Sequence, residues 1–233
     1  MRIAILLVGH VRTWDITKES FKKTFEPLNA DIFLSTYDLR YGHHPHIQGR
    51  IGDFGDDLLT QDEITSMFSD VNLKGFTYEK SISVDELIEA EMVKVTPKMR
   101  HRSSLAQYRK LHQAIDLMNQ FETKIEQPYD YVLKTRCDMV YKEKIPLDTD
   151  PNTVTVDSGN IFPNDCFLFS SRNSMVNISN FIMNEFYNPR YSDSGENPPH
   201  QMLLNAIKES GLTITTVGVM NHVIRRGGKK EYY

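Results

Sequence analysis

The apolar run Ile3–Val8 sets the strongest constraint on what this chain can fold into. It is far too short to span a bilayer, which takes about twenty apolar residues. It also lacks the polar alternation that would give one face to water. It therefore reads as a strand covered on both sides, as in a parallel sheet with helices on each face. GHVRTW, residues 9–14, begins with a turn. A helix is predicted from about Thr17 to Glu26, stopped by Pro27. Ala30–Thr36 is a second strand, ending in Tyr37-Asp38. Strand, helix, strand opens an α/β fold with a mostly parallel central sheet flanked by helices.

The same reading carries on along the chain. Residues 39–57, LRYGHHPHIQGRIGDFGDD, have no period and read as a long loop of the kind that often serves function. Its His43, His44 and His46 are split by a proline and have no fixed spacing, so a solvated loop is favoured over a metal site. Thr60-x-x-Glu63 and Ser83-x-x-Glu86 are capping boxes for two short helices, with a strand at Gly75–Glu79 between them. Leu105, Tyr108, Leu111, Ile115, Met118 and Phe121 recur at three- and four-residue spacing, which predicts a helix over 103–125. Tyr129–Thr135, Val154–Val156, Cys166–Ser170 and Thr213–Val217 read as strands, and Ser174 to Tyr187 as a helix. Asn197-Pro198 suits a helix start and Gly211 a helix stop. A basic tail, HVIRRGGKKEYY, closes the sequence. No repeat or linker interrupts it, so one domain over 1–233 is expected.

Charge excludes one class of partner. The chain has 27 Lys+Arg against 31 Asp+Glu, a net charge of -4. That balance gives no bulk attraction for nucleic acid. The two cysteines, Cys137 and Cys166, are far apart and fit a reducing compartment. With neither a signal peptide nor a transmembrane segment in view, the chain reads as soluble and cytoplasmic.

The run YDYVLKTRCDMVY, 129–141, places Arg136 and Asp138 where a buried strand should end. Side chains alternate along a strand, so Lys134, Arg136 and Asp138 share one face if the strand runs that far. In parallel α/β sheets, ligands bind outside the carboxyl ends of strands. A carboxylate there can hold a divalent cation, and an arginine can fork onto a phosphate. A structural ion pair capping the strand is the equal alternative. Neither GxxxxGK[ST] nor GxGxxG is present. Gly9 can let a ligand approach the backbone, with Arg12 and Thr13 as donors.

With these stretches in hand, the chain resembles GT-A-type, nucleotide-sugar-dependent glycosyltransferases. It looks most like the small ones encoded by bacterial glycan clusters and large algal viruses. The resemblance rests on the first strand with GHVRTW, on ADIFLSTYD at 30–38, on SLAQYRKLHQAIDLM at 104–118 leading into YDYVLKTRCDM, and on NDCFLFSSRNSM at 164–175. It implies a single GT-A-like, Rossmann-like domain. It implies a hexosyl- or deoxyhexosyltransferase acting from a nucleotide-diphosphate sugar on a glycan or glycoprotein acceptor. Donor-binding roles fall on Gly9, His10, Arg12, Thr13, Arg109, Arg136 and Arg225. Asp138 and a late histidine, His222, are the implied ligands of Mn²⁺ or Mg²⁺. Asp165, or Glu196 in its place, is the implied general base if the transfer inverts. The usual Asp-x-Asp is here Arg136-Cys137-Asp138, so arginine replaces the first carboxylate and metal dependence is in question. The literal Asp148-Thr-Asp150 sits between prolines and reads as a turn. Two other readings stay open: a nucleotidyltransferase, and a non-catalytic glycan- or nucleotide-binding domain of the same fold.

Overall fold

A computed structural model of the chain describes residues 1–11, 13–38, 58–80, 87, 89–90, 102–142, 144–158, 163–187, 198–224 and 230–231. The strands are β1 (Ile3–Val8), β2 (Asp31–Tyr37), β3 (Leu73–Glu79), β4 (Tyr131–Thr135), β5 (Met139–Tyr141), β6 (Thr153–Asp157), β7 (Asn164–Ser171), β8 (Thr213–Val217), β9 (Met220–Ile224) and β10 (Lys230–Glu231). The helices are α1 (Trp14–Phe25), α2 (Gln61–Met67), α3 (Arg102–Ile125), α4 (Arg172–Tyr187) and α5 (Pro198–Glu209). A seven-stranded sheet has the order β3-β2-β1-β4-β7-β6-β8, and a three-stranded sheet the order β10-β9-β5. In the large sheet only β7 runs against its neighbours.

β1 is buried along its whole length. Its residues divide by parity between two cores, as the pleat requires. Ala4, Leu6 and Val8 face α3, α4 and α5, packing with Leu111, Ile178 and Leu203. Ile3, Ile5 and Leu7 face α1 and α2, packing with Trp14, Phe21 and Ile64. This two-sided cover is what the unbroken apolar run demands.

Helix α1 starts at Trp14 rather than Thr17. Trp14 explains the earlier start: it is fully buried, stacks on Phe68 at 4.5 Å, and donates its indole N–H to the Met67 carbonyl at 3.0 Å. A 3-10 turn, Glu26–Leu28, carries Pro27 and ends at Asn29 in a left-handed conformation. Trp14→Ala should lower the unfolding free energy by about 3–5 kcal/mol. The check is a reduced urea midpoint at unchanged denaturant slope.

One stripe of α1 bonds to the segment that carries β5. The Thr17 hydroxyl donates to the Cys137 carbonyl at 2.5 Å. Ser20 Oγ accepts from the Tyr141 N–H at 2.8 Å, and Thr24 Oγ1 donates to the Lys142 carbonyl at 3.0 Å.

The three-stranded sheet was not expected. β5 is too short for its pattern to show, and its partner β9 runs into the segment read as a basic tail. β4 spans Tyr131–Thr135: it starts later than Tyr129 but ends at Thr135 as expected, so Arg136 and Asp138 lie beyond it. The Thr60–Glu63 capping box forms with both of its hydrogen bonds. The second box, at Ser83–Glu86, and the loop at 39–57 lie outside the described residues. Asp148 and Asp150 do make turns: their carboxylates accept from the N–H groups of Asp150 and Asn152 at 3.0 and 2.9 Å. Gly211 adopts φ +67 at the end of α5, the conformation that suits a helix stop.

Candidate functional site

The parallel strands β1, β2 and β4 end on one edge of the sheet, and β7 begins there because it runs the other way. Polar side chains collect on this edge. Alternation puts Val132 and Lys134 of β4 on the α3–α4 side, where Val132 joins that core. Lys134 is 1% exposed and donates to the Asp165 backbone carbonyl on β7. Lys134 pairs in register with Leu168, so Asp165 and Cys166 fall beside the residues that follow β4.

Arg136 and Asp138 meet there. Nε of Arg136 donates to Oδ1 of Asp138 at 2.9 Å, and Nη2 to Oδ2 at 2.7 Å. Nη1 lies 3.8 Å from Cys166 Sγ. The turn that brings them together is pinned from afar and from nearby: Thr17 holds the Cys137 carbonyl, and the Tyr141 hydroxyl donates to the Arg136 carbonyl at 2.7 Å. Asp165 accepts from the Gln107 amide at 2.6 Å. Burial pulls the Lys134 ammonium below its usual range, opposed by Asp165. Burial acts against the Arg136 charge too, but Asp138 outweighs it and holds the guanidinium protonated.

A second group lies at the ends of β2 and β3. Lys110 of α3 donates to the Thr36 carbonyl at 2.6 Å, sits 2.9 Å from Glu79, and lies 4.0 Å over the Tyr37 ring. Arg109 also pairs with Glu79, and Gln113 donates to it at 3.1 Å. His10 stacks on Tyr37 at 4.6 Å. Gly9 has φ +98, a conformation that favours glycine, and donates its N–H to the Ser35 carbonyl at 3.0 Å. Thr13 caps the start of α1 through its backbone carbonyl, which accepts from the N–H groups of Ile16 and Thr17.

Burial draws the Lys110 pKa from 10.5 down to about 8, against the opposing pull of Glu79. Below that value both folded and unfolded chains hold the proton. Between about 8 and 10.5 the unfolded chain holds it and the folded chain does not, so this group adds stability as pH rises through the window. The wild type should therefore gain unfolding free energy relative to Lys110→Met between pH 8 and 10.5. Urea titrations across that range provide the check.

The structure thus brings Arg136, Asp138 and Asp165 together. It sets Gly9, His10 and Thr13 at the end of β1, and Arg109 in the Glu79 group. The backbone of His222 pairs with Val140 in the small sheet. Arg12, Glu196 and Arg225 lie outside the described residues. Lys134, Lys110, Glu79 and Gln107 were given no role from sequence. The available signal was a lysine inside an apolar strand run, and another among the apolar positions of α3.

Among the described residues, the donors around Asp138 do not suit a divalent cation. Mg²⁺ and Mn²⁺ favour several oxygen ligands. Both Asp138 oxygens accept from Arg136, and the place of the usual first carboxylate is the guanidinium itself. Asp165 is engaged by Gln107 and borders Lys134. Among the described residues, no three His, Cys, Asp or Glu side chains form a group able to hold a metal.

A mostly parallel seven-stranded sheet with one reversed strand, flanked by helices and polar at its carboxyl edge, is a GT-A-type fold. An active-site mutant of LgtC superimposes with a TM-score of 0.52 at 9% identity, over 92% of this chain and 72% of that one. The galactosyltransferase LgtC in complex with donor and acceptor sugar analogs gives 0.48, also at 9% identity, over 92% and 73%. The apo-form glycosyltransferase GlyE of Streptococcus pneumoniae TIGR4 gives 0.47 at 9% identity, over 92% of this chain but 44% of GlyE. The chain thus spans less than half the length of GlyE. At such identity the likeness is one of fold, carried by the LgtC mutant. No family model and no curated protein matches the chain. Among the described residues, no helix is long and apolar enough to cross a membrane.

Proposed function

We propose that the protein is a glycosyltransferase, moving a hexosyl or deoxyhexosyl group from a nucleotide-diphosphate sugar to a hydroxyl of a glycan or glycoprotein acceptor. Residues 1–233 would act as one catalytic domain. The observation that carries the reading is the Arg136–Asp138 fork just past β4, beside Lys134 and Asp165, on the edge where α/β sheets bind ligands. The donor lies across this edge, with Gly9, His10, Thr13 and Arg109 contributing; Arg12 and Arg225 are further donor-binding candidates from sequence. As the bond from the anomeric carbon to the diphosphate breaks, its electron pair goes to the leaving diphosphate. Arg136 and Lys134 stabilise that growing charge. The acceptor oxygen bonds to the anomeric carbon and loses its proton; if the transfer inverts, Asp165 takes that proton. Glu196 is the alternative base.

The test is product analysis with a panel of nucleotide sugars and glycan acceptors. Release of nucleoside diphosphate with a glycosylated acceptor is expected. Release of pyrophosphate would make the protein a nucleotidyltransferase. Saturable binding without turnover would leave a binding domain of the same fold.

A further inference from the structure

We infer that Arg136, oriented by Asp138, is the built-in cation for the donor's diphosphate, so that donor binding does not require a divalent metal ion. The inference rests on the donor-site reading above. The strand end that usually presents a carboxylate presents a guanidinium here. Asp138 is committed to it through both oxygens, at 2.9 and 2.7 Å. A guanidinium has five N–H donors, and this fork uses two of them. Nη1 faces the Cys166 sulfur at 3.8 Å, a weak acceptor that a phosphate oxygen can outcompete.

Exposure orders the pair. The Arg136 side chain is 21% exposed and that of Asp138 2%, so the charge offered to a ligand is positive. Metal binding needs the reverse, a carboxylate in front. Lys134, buried on β4 and close enough to feel the Arg136 charge, adds a second cation. A divalent ion at Asp138 would displace one cation and be repelled by another. A diphosphate meets the opposite situation, since arginine forks onto phosphate oxygens as it does onto carboxylates. Asp138 is then a positioning residue. It fixes the guanidinium plane and does not touch the ligand.

The test is calorimetric titration of the whole chain with UDP, GDP, CDP, ADP and dTDP, each in excess EDTA and in excess Mn²⁺. The variants are Arg136→Gln, Asp138→Asn and the two combined. The combined variant keeps a neutral, hydrogen-bonding pair of similar shape, so the fold survives even where a single change leaves a buried charge. One diphosphate should bind with affinities within about twofold in the two media. Arg136→Gln should weaken it about 10–100-fold, as expected for a lost charge-assisted hydrogen bond. The combined variant should lose no more than Arg136→Gln alone, because Asp138 acts through Arg136. Binding that needs Mn²⁺, disappears in Asp138→Asn and survives in Arg136→Gln would overturn the inference while keeping the donor site. Absence of binding by every diphosphate in both media would overturn the donor site, and the inference with it.

Discussion

Asp165→Asn should lower kcat by about 10²- to 10⁴-fold, the range over which a positioned base contributes. The substitution is narrow in its other effects. A carboxamide oxygen can still accept from Gln107, as the carboxylate does at 2.6 Å. The Lys134 bond goes to the backbone carbonyl of Asp165, which the change does not touch. Fold and donor affinity should therefore hold while turnover falls. Initial rates at saturating donor, beside nucleotide titrations on the same variant, separate the two. A rate within about tenfold of wild type would remove Asp165 as the base and pass that role to Glu196.

Lys134→Met should cost about 10²-fold in turnover, comparable to losing one oxyanion donor, with little loss of stability. The stability argument balances two costs. Burial of the ammonium is unfavourable, and its depressed proton affinity reflects that. Methionine of similar length removes the charge from a site that is 1% exposed. Against this, the Asp165 carbonyl loses its donor, which costs about 1–3 kcal/mol when nothing replaces it. The net change is small because the terms oppose. Activity has no such compensation: the second cation at the leaving group goes, and with it the hold on the Asp165 backbone. A lysine kept only for structure predicts the reverse pattern, with stability lost and kcat retained. Urea unfolding and kcat measured on one preparation decide between them.

How much of this was legible depended on how local each cause is. The Ile3–Val8 run demanded a strand covered on both faces, because nothing else can bury such a segment. The spacing of Leu105, Leu111, Ile115 and Met118 marked α3 just as directly. The small sheet was hidden because β5 is short and pairs with β9, a strand far along the chain. The end of β4 at Thr135 was legible, but the turn after it was not. Thr17, distant in sequence, and the Tyr141 hydroxyl hold that turn, and neither contact shows in a local pattern. At the site, Arg136 and Asp138 stood out by position. What they do to each other did not, since a strand end can serve either a ligand or an ion pair. Lys134 was visible as a polar residue in an apolar run, but its partner on β7 was not.

The hydroxyl stripe of α1 has a consequence for solubility. Among the described residues, β5 is the outer strand of its sheet, with β9 on one side. An uncovered outer strand invites pairing with another molecule. Here Ser20 and Thr24 occupy backbone groups of Tyr141 and Lys142 that such a stranger would use. The helix thereby stands in for the missing neighbouring strand. A chain stripped of these hydroxyls would keep its apolar core and yet expose a sticky border, so its first failure would be self-association rather than unfolding.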